Sequence, residues 1–577
     1  MDVQPYLDEL TPAPRAVFEH LPERRSRVRF MLDDGRGDWT AVTWQAFADQ
    51  IRHLGQYFLH RGIEPGDRIA IYAPNSVPWL SAALAAQAIG AVMVPIYGSS
   101  TADQVAYVLN HSGARLLATD TPTLLRRALT AWPDCDRLEH VLTLSSDAAP
   151  LATVTDMHAD GQGDVSFRRL ESGLTELDDA LAIGRALDDQ HPRRFDDALD
   201  ALSLDDPTLM LYTSGTTGPP KGVPLTHRNV ATNGRDWMTI NGPQIDDHPV
   251  DLLWLPFSHV FGFGEACLGN TLGFTTYLSD PRRVLDQLPT VRPSVFMSVP
   301  RYFEKLVEAA ADIADDRPQR LEALQRLTGG NLCFCLSGGA GLSREVKDLF
   351  YDAGMLIIEG YGLTEASPTL TLNRPDDFDF DTVGKPLPSV DLQLADDGEI
   401  LARGDSIFHG YHNNPQATEK TFTDDGWLKT GDLGRWTDDG FLQIIGRKKD
   451  ILVTAAGKNI SPKKIEARFA DDPTIAHLVV YGDGKKYLTA GLWPNAGALE
   501  DPELLDDPQA LQDFYETRVQ AVNDTLASYE TLKKIAVFPD RPLTVENGLL
   551  TPTLKVKRPR VYDAFGDDLD ALYQEDS

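Results

Sequence analysis

Short apolar runs alternate with longer mixed segments along much of the chain. Runs of strand length occur at residues 68–72, 91–97 and 115–119. The segments between them, 79–89 and 103–109, have the length and composition of helices. This alternation is typical of a parallel sheet covered by helices, and it resumes at Leu209 through runs at 253–256, 294–298 and 355–359. The pattern predicts an α/β fold with two βαβ sheet subdomains.

After Ser389 the pattern changes. Short alternating segments such as 390–394 and 441–445, separated by Asp-Asp-Gly turns, predict a small β-rich unit. Beyond it, strand patterns near residues 478–481, 487–493 and 535–538 are separated by helical segments, which is an α+β pattern. We therefore expect a large N-terminal domain over residues 1–448 and a small C-terminal domain over residues 449–577.

Two other parts of the chain carry weaker signals. Residues 121–206 are acidic and weakly periodic, so we expect connecting strands and surface excursions there. The apolar stretch 79–97 is interrupted by Gln87, Gly90 and Pro95, and it predicts a buried helix and strand rather than a membrane span. The N-terminus lacks the basic and apolar regions of a signal peptide, which predicts a cytoplasmic location.

The amino-acid composition limits the classes of partner that the protein can bind. With 42% hydrophobic and 24% charged residues, the chain can form hydrophobic cores. Its formal net charge of −32 repels nucleic acids and anionic lipid surfaces, which argues against them as main partners. The first lysine is Lys221, and 11 of the 17 lysines lie from Lys448 onward, which marks a domain boundary. The four cysteines have neither disulfide-scaffold nor zinc spacing.

The strongest local signal is the run 211–223, LYTSGTTGPPKGV, which follows a predicted strand. Its glycines permit tight turns with exposed N–H groups, its hydroxyls can donate hydrogen bonds, and Lys221 adds a positive charge. These are the components of a polyphosphate-binding loop. The spacing differs from a Walker loop, because only two residues separate Gly215 from Gly218 and Gly222 follows the lysine.

This run resembles the phosphate-binding signature of the adenylate-forming superfamily. Other blocks follow in that family's order: SGGA at 337–340, EGYGLTE at 359–365, TGD at 430–432, GR at 446–447 and NGLLTPTLKVKR at 547–558. The last block, together with VPRYFEK at 299–305 and GKNISP at 457–462, is similar to the long-chain fatty-acyl-CoA synthetase branch. About thirty residues separate Lys305 from Ser337, where many members carry a longer insertion, so the preferred chain length stays open.

The resemblance implies catalytic roles for a few residues. Lys555 would bridge the substrate carboxylate and the α-phosphate of ATP, where positive charge stabilises the transition state. Glu365 and the Thr216 hydroxyl would hold Mg²⁺. His259 would contact the carboxylate or adenylate, and a satisfied core histidine is the alternative. Phe263 is either a gate to the acyl tunnel or a core residue.

The remaining positions are implied nucleotide, substrate and coenzyme A contacts. Asp432 and Arg447 would hold the ribose, with a helix cap and a surface salt bridge as the structural alternatives. Gly457 and Lys458 would line the coenzyme A channel, Gly339 would also contact the acyl substrate, and Lys449 would be the pivot of a mobile C-terminal domain. The other expected ATP contacts are Thr213, Ser214, Gly215, Thr217, Gly218, Lys221, Ser337, Gly338, Gly339, Ala340, Glu359, Gly360, Tyr361, Gly362 and Thr364.

The predicted activity is an AMP-forming ligase that converts a fatty acid to acyl-adenylate and then to acyl-CoA, using ATP, Mg²⁺ and coenzyme A. Two alternatives remain: a fatty-acyl-AMP ligase that loads a carrier protein, and a non-catalytic acyl- or nucleotide-binding protein. Weak peripheral membrane association and the choice between monomer and homodimer stay open. The acidic, lysine-poor composition lies mostly outside the motifs, and we hypothesise a halophilic source.

Overall fold

The computed structural model describes residues 2–145, 173–213, 219–455, 458–469, 472–499, 501–551 and 555–574. Two parallel sheets, a β-rich unit and a C-terminal α+β unit account for the described elements. The α/β fold class predicted from the sequence is therefore confirmed.

The strands of the first half of the chain are β1 (Val28–Asp33), β2 (Trp39–Thr43), β3 (Arg68–Tyr72), β4 (Val92–Pro95), β5 (Leu116–Thr119), β6 (His140–Thr143), β7 (Leu174–Glu176), β8 (Pro207–Thr213), β9 (Lys221–Thr226), β10 (Val250–Leu253), β11 (Thr275–Leu278) and β12 (Val295–Ser298). Those of the second half are β13 (Phe334–Ser337), β14 (Ile357–Gly362), β15 (Thr369–Leu372), β16 (Lys385–Pro386), β17 (Val390–Leu394), β18 (Glu399–Gly404), β19 (Leu428–Trp436), β20 (Leu442–Arg447), β21 (Leu452–Val453), β22 (Asn459–Ile460), β23 (Ile475–Tyr481), β24 (Leu488–Pro494) and β25 (Leu532–Val537).

The α-helices are α1 (Ala13–Glu19), α2 (Leu21–Arg24), α3 (Trp44–His60), α4 (Val77–Ala88), α5 (Ala102–Ser112), α6 (Pro122–Ala131), α7 (Leu177–Gln190), α8 (Pro192–Asp200), α9 (His227–Asn241), α10 (Val260–Leu272), α11 (Val284–Val291), α12 (Pro300–Ile313), α13 (Arg317–Leu327), α14 (Arg344–Asp352), α15 (Pro415–Thr421), α16 (Pro462–Glu466), α17 (Pro508–Asn523) and α18 (Arg558–Ala571).

The first sheet has the strand order β7-β6-β5-β3-β4-β8-β9 and is parallel except for β9. The second has the order β16-β15-β14-β13-β12-β10-β11-β1-β2, with a parallel centre and antiparallel edges. Helix α4 is buried at almost every position, which explains its uniformly apolar sequence. It belongs to one hydrophobic core that joins the two sheets.

The β-rich unit is the antiparallel sheet β17-β18-β19-β20, and the C-terminal unit is built on β23-β24-β25. Helix α17 packs on β25 through Leu511 and Tyr515. Helix α18 packs on the same sheet through Val561 and Phe565. In the described part of the chain, no helix is both long and apolar enough to cross a bilayer.

The sequence interpretation of residues 121–206 is incomplete. Helices α7 and α8 lie in this segment and pack on α3, with Phe195 fully buried. Gly184 lies so close to α3 that a Cβ atom would meet the carbonyl oxygen of His53 at 1.9 Å. The solvent-facing sides of these helices are acidic, so the helical spacing of their apolar residues was not recognised in the sequence. The apolar run 331–336 predicts that Cys333 and Cys335 share one face of a strand and pack in the core. Cys335 is buried as predicted, whereas the prediction is wrong for Cys333, which precedes β13 and is exposed.

Candidate active site

A large cleft of about 2990 Å³ lies where the two sheets, the β-rich unit and the C-terminal unit meet. Many of its walls are segments that follow the carboxyl ends of parallel strands, where ligands bind in open α/β sheets. The cleft brings together these described residues from the sequence motifs: Thr213, Lys221, His259, Phe263, Ser337, Gly338, Gly339, Ala340, Glu359, Gly360, Tyr361, Gly362, Thr364, Glu365, Asp432, Arg447, Lys449 and Lys555.

One corner of the cleft is a fixed charge pair. Asp432 on β19 faces Arg447 on β20 in the antiparallel register, and Arg447 Nε lies 2.9 Å from Asp432 Oδ1. The Tyr361 hydroxyl donates to Asp432 Oδ2 at 2.6 Å. Burial raises the pKa of Asp432, and the Arg447 charge and the Tyr361 hydrogen bond oppose that rise. The carboxylate is therefore oriented through both oxygens while each keeps acceptor capacity for a ligand.

Lys555 enters the cleft from the C-terminal unit. Its backbone N–H donates to Thr551 Oγ1 at 3.0 Å, and its carbonyl accepts from the Thr551 N–H at 2.8 Å. The Lys555 side chain keeps solvent access, and the partial desolvation of its ammonium by the cleft walls lowers its pKa, with the charges of Lys463 and Arg447 lowering it further. These like charges gather positive potential at one point of an otherwise acidic protein.

His259 faces this positive point from the start of helix α10. Its Nδ1 accepts the N–H of Phe261 at 3.2 Å, so the ring caps the helix. Burial, assisted by the Lys555 charge, lowers the pKa of His259 to about 4. The imidazole is therefore neutral at pH 7, and with Nδ1 accepting, the proton resides on Nε2.

The phosphate-loop strands are paired as a hairpin. Thr213 at the end of β8 lies opposite Lys221 at the start of β9, and the turn residues Ser214, Gly215, Thr216, Thr217 and Gly218 lie outside the described residues. The Lys221 ammonium lies 4.3 Å from the centroid of the Tyr411 ring. Burial lowers the pKa of Lys221, partly offset by the Glu365 charge.

Tyr411 also connects this lysine to the predicted metal ligand. Its hydroxyl donates to Glu365 Oε1 at 2.7 Å. The Glu365 carboxylate remains part-exposed in the cleft, so it keeps oxygen lone pairs available to a ligand. The structure thus places Lys221, Tyr411 and Glu365 in one cluster, although no sequence motif singled out Tyr411.

The segment after β13 turns tightly beside helix α10. Gly339 has φ +86°, and a Cβ atom on Gly338 would lie 3.1 Å from the Phe261 ring. Ser337 is fully buried. Small residues here keep the cleft open at a block where the sequence predicts ATP contacts.

Glu359 forms a buried ion pair and a hydrogen bond that the sequence did not predict. Lys347 Nζ lies 2.5 Å from Glu359 Oε2, and the Leu342 N–H donates to Oε1 at 3.0 Å. Both partners of the Glu359–Lys347 pair are nearly inaccessible to solvent. The ion pair ties helix α14 to β14, and the Leu342 hydrogen bond ties the segment after β13 to the same carboxylate.

The hinge region is anchored on one side. Lys448 Nζ lies 2.5 Å from Asp397 and 2.7 Å from Glu399, both in the β-rich unit. The next residue, Lys449, lines the cleft. The N–H groups of Asp450 and Ile451 both donate to the Arg447 carbonyl, at 3.0 and 3.1 Å. The chain is thus held firmly up to Lys448 and turns immediately after it.

Family models and relatives match this chain along most of its length. Residues 18–412 match the model described as AMP-binding enzyme, and residues 449–577 match the AMP-binding enzyme C-terminal domain. The chain belongs to the AMP-binding enzyme family. It is 33% identical to the long-chain-fatty-acid--CoA ligase FadD15 of Mycobacterium bovis, over 97% of this chain and 96% of that one. It is 27% identical to long-chain-fatty-acid--CoA ligase 5 of Rattus norvegicus, over 92% and 84% of the two chains.

Solved structures share the fold of this AMP-binding enzyme. The A domain of a carboxylic acid reductase from Segniliparus rugosus, in complex with AMP and a co-purified carboxylic acid, superposes with a TM-score of 0.79 at 22% identity. That match covers 100% of this chain and 96% of the other. The anthranilate CoA ligase AuaEII in complex with anthranoyl-AMP gives a TM-score of 0.73 at 19% identity, over 96% and 98% of the two chains.

One described motif residue of this AMP-binding enzyme, Lys458, is not brought to the cleft, and Gly457 lies outside the described residues. The Lys458 N–H donates to Thr454 Oγ1 at 3.2 Å, and its ammonium lies 5.8 Å from the Tyr529 ring centroid. Phe263 both lines the cleft and packs in the core, with its centroid 6.3 Å from that of Trp79.

Sequence reasoning missed Lys463 as well as Tyr411. Lys463 lies at the start of helix α16, lines the cleft and contributes to the positive potential at Lys555. The lysine excess after Lys448 was the signal that could have found it. The sequence predicts a solvated basic tail at Arg558, and that prediction is wrong, because Arg558 is buried with its guanidinium 2.7 Å from Glu466.

Proposed function

We propose that this AMP-binding enzyme is a long-chain fatty acid–CoA ligase that cleaves ATP to AMP and pyrophosphate. The observation that carries the proposal is the meeting of Lys555, neutral His259 and the Asp432–Arg447 pair in one cleft. Curated relatives that match almost the whole chain carry this activity in their names. The proposed domains are residues 1–448, which bind ATP and the acyl group, and residues 449–577, which carry Lys555.

In the first step, an oxygen of the fatty-acid carboxylate attacks the α-phosphorus of ATP, and the bond from that phosphorus to the bridging oxygen breaks. Pyrophosphate leaves and acyl-adenylate remains. Two anions approach each other in this step, so positive charge placed between them lowers the barrier. Lys555 supplies that charge, and the nearby Lys463 and Arg447 extend it.

The nucleotide is held by groups of the N-terminal domain. Asp432 accepts hydrogen bonds from the ribose hydroxyls, and Arg447 and Tyr361 keep its carboxylate oriented. Lys221 and the loop residues 213–218 bind the phosphates. Glu365 would hold Mg²⁺ together with Thr216; when bound, this ion neutralises phosphate charge.

The acyl substrate enters beside helix α10. Neutral His259 presents Nε2–H as a donor to the carboxylate or adenylate oxygen, and it adds no charge that would compete with Lys555. Beyond it the cleft continues between helices α9, α10 and α1, where Trp237, Met238 and Leu268 give an apolar lining. This extension is the proposed acyl tunnel.

In the second step, the thiol of coenzyme A attacks the acyl carbonyl carbon, AMP leaves, and the thiol proton passes to solvent. The thiol needs access to a site that Lys555 now covers. Rotation about Lys449 would withdraw Lys555 and bring the Gly457 and Lys458 loop to the cleft. Two observations support a pivot at Lys449: Lys448 is anchored to Asp397 and Glu399, and Lys458 lies outside the cleft.

We also propose a cytoplasmic location and at most weak peripheral contact with membranes. The proposed oligomeric state is a monomer or a homodimer. The deciding assay measures pyrophosphate and AMP release with a series of saturated fatty acids, with and without coenzyme A. The proposal expects acyl-CoA from long-chain acids. Acyl-adenylate without any acyl-CoA would instead indicate a ligase that loads a carrier protein, and no pyrophosphate with any acid would contradict catalysis.

A further inference from the structure

The proposed acyl tunnel is bounded by one face of helix α10. Four part-exposed residues of this helix line the cleft: Phe261, Gly264, Leu268 and Thr271. They recur at three- and four-residue spacing, which places them on a single face of the helix. Gly264 therefore lies within the face that α10 turns toward the cleft, and it contributes no side chain there.

Helix α9 has a matching face. It packs beside α10, and helix α1 packs on both, so the three helices surround one space. Val230, Gly234 and Met238 follow one another at four-residue spacing on α9, and all three line the cleft. Gly234 thus occupies the middle of its face, as Gly264 does on α10.

The space beside both glycines is open. A Cβ atom built on Gly234 or on Gly264 would have no atom of the described residues within 4 Å. Gly262 of α10 is different, because a Cβ atom there would meet the Pro256 carbonyl oxygen at 2.5 Å. Packing against the protein therefore explains glycine at position 262, whereas it does not explain glycine at 234 or 264.

Glycine in the interior of a helix is less stable than alanine, because it loses more conformational freedom on folding. Alanine at position 234 or 264 would thus stabilise the helix, and the feature that glycine preserves is the open space itself. A methyl group of a substrate could occupy the position of either missing Cβ atom without a close contact. Gly264 follows His259 by five residues, about 7.5 Å along the helix axis at ~1.5 Å per residue. A fatty acid whose carboxylate lies at His259 would pass the two glycines part-way along its chain.

We propose that Gly234 and Gly264 are specificity-determining residues that leave room for a methyl branch on the acyl chain. The substrate class is long-chain fatty acids with a methyl branch part-way along the chain, accepted beside straight-chain acids. A branch gains dispersion contacts in a space that a straight chain leaves unfilled. This inference rests on the proposed function, because it assumes that the cleft between α9 and α10 holds the acyl chain.

The test compares kcat/KM for palmitate with kcat/KM for a series of palmitates that carry one methyl branch at successive mid-chain carbons. The wild type should use at least one branched acid as well as palmitate. Gly234→Ala and Gly264→Ala each put a methyl group of the protein into the open space. Each should lower the ratio of branched to straight kcat/KM about tenfold, the scale for one methylene-sized group in an apolar pocket.

Gly566→Ala is the matched control. Gly566 lies in helix α18, a Cβ atom there also meets open space, and the residue lies outside the cleft lining. Its substitution should leave the ratio unchanged. An unchanged ratio in both Gly234→Ala and Gly264→Ala would overturn the inference, and so would a wild type that rejects every branched acid more than tenfold. If one variant does not fold, the other decides alone.

A binding measurement separates this inference from the proposed function. The rise in melting temperature on adding each acid is measured without ATP, in the wild type and in Gly264→Ala. A rise with the branched acid that shrinks in the variant more than the rise with palmitate supports the inference, even if neither acid is activated. Failure to activate any fatty acid contradicts the ligase activity, and identical rises in the two proteins contradict the role of Gly264.

Discussion

The two sides of the cleft hold their charges in opposite ways. On the N-terminal side, charges are paired on regular elements: Asp432 on β19 with Arg447 on β20 at 2.9 Å, and Glu359 on β14 with Lys347 on helix α14 at 2.5 Å. On the C-terminal side, Lys555 has no ion-pair partner among the described residues, and Thr551 holds only its backbone. The N-terminal side thus holds its charged groups in fixed positions, whereas the C-terminal side contributes a lysine without a local counter-ion. We call the N-terminal side the fixed side.

This difference suits a reaction with two steps at one place. The nucleotide must stay bound while the incoming group changes from a carboxylate to a thiol, so its binding groups gain from rigid pairing. The charge that assists the first step must be removable, and an unpaired lysine on a separate unit loses no salt bridge when it leaves. The predictions below test this division.

The largest effect is expected from Lys555→Ala. Pyrophosphate release should fall by about 10²–10³-fold or more, the usual scale for losing a group that stabilises transition-state charge. Conversion of supplied acyl-adenylate to acyl-CoA should remain within a few fold of the wild type. Lys557→Ala removes a neighbouring charge and serves as the control. Equal loss of both half-reactions would mean that Lys555 is needed throughout.

A smaller effect is expected from Asp432→Asn on the fixed side. The substitution weakens hydrogen bonds to a charged group and leaves Arg447 without its partner, so KM for ATP should rise about 10–100-fold. Both half-reactions should suffer because AMP is held in both. Asp391→Asn, at an exposed pair 3.5 Å from Arg403 in the same unit, should have little effect. If Asp432→Asn impaired only adenylation, Asp432 would act like Lys555, and the proposed difference between the two sides of the cleft would be contradicted.

Tyr411→Phe should have an effect of about tenfold. It removes the hydroxyl that orients Glu365, while the ring remains beside Lys221. We expect a higher Mg²⁺ requirement and a roughly tenfold higher KM for Mg-ATP, with kcat less affected. Titration of Mg²⁺ at fixed ATP measures this directly. A Mg²⁺ dependence identical to that of exposed Tyr351→Phe would place Glu365 outside the metal site.

Much of the fixed side could be predicted from the sequence, because its residues lie in contiguous motifs at the ends of strands. The pairing of Asp432 with Arg447 follows from two neighbouring antiparallel strands. Tyr411 and Lys463 were missed because they reach the cleft through tertiary packing, and no local pattern distinguishes them from surface residues. The burial of Glu265 was also hidden from sequence reasoning, since burial of one acid in an apolar helix depends on the elements packed around it.

The smallest effect concerns the surface rather than the cleft. We propose that the net charge of −32 reflects a halophilic source, with carboxylates such as those of Asp424 and Asp425 exposed to solvent. Salt screens repulsion among these charges, so the melting temperature should rise as KCl is increased from low to molar levels. Replacing both aspartates with asparagine should slightly reduce the rise. A falling melting temperature would contradict the proposal.

The central claim is that the present arrangement of the two units forms acyl-adenylate and must open before coenzyme A reacts. A Cβ atom on Gly446 of β20 would lie 3.4 Å from the Cβ atom of Ser461 beside α16, close enough for a disulfide between the units. Gly446 has φ +155°, which strains any side chain there, so the reduced variant is first required to release pyrophosphate at the wild-type rate. The variant is Gly446→Cys with Ser461→Cys, and Cys333→Ser removes the exposed native thiol. The same protein under reducing conditions is its control.

The measurement is single-turnover formation of acyl-adenylate and acyl-CoA by the oxidised and reduced variant. The oxidised enzyme should release pyrophosphate and retain acyl-adenylate without forming acyl-CoA, and reduction should restore the second step. Acyl-CoA formation at equal rates in the two states would contradict the account.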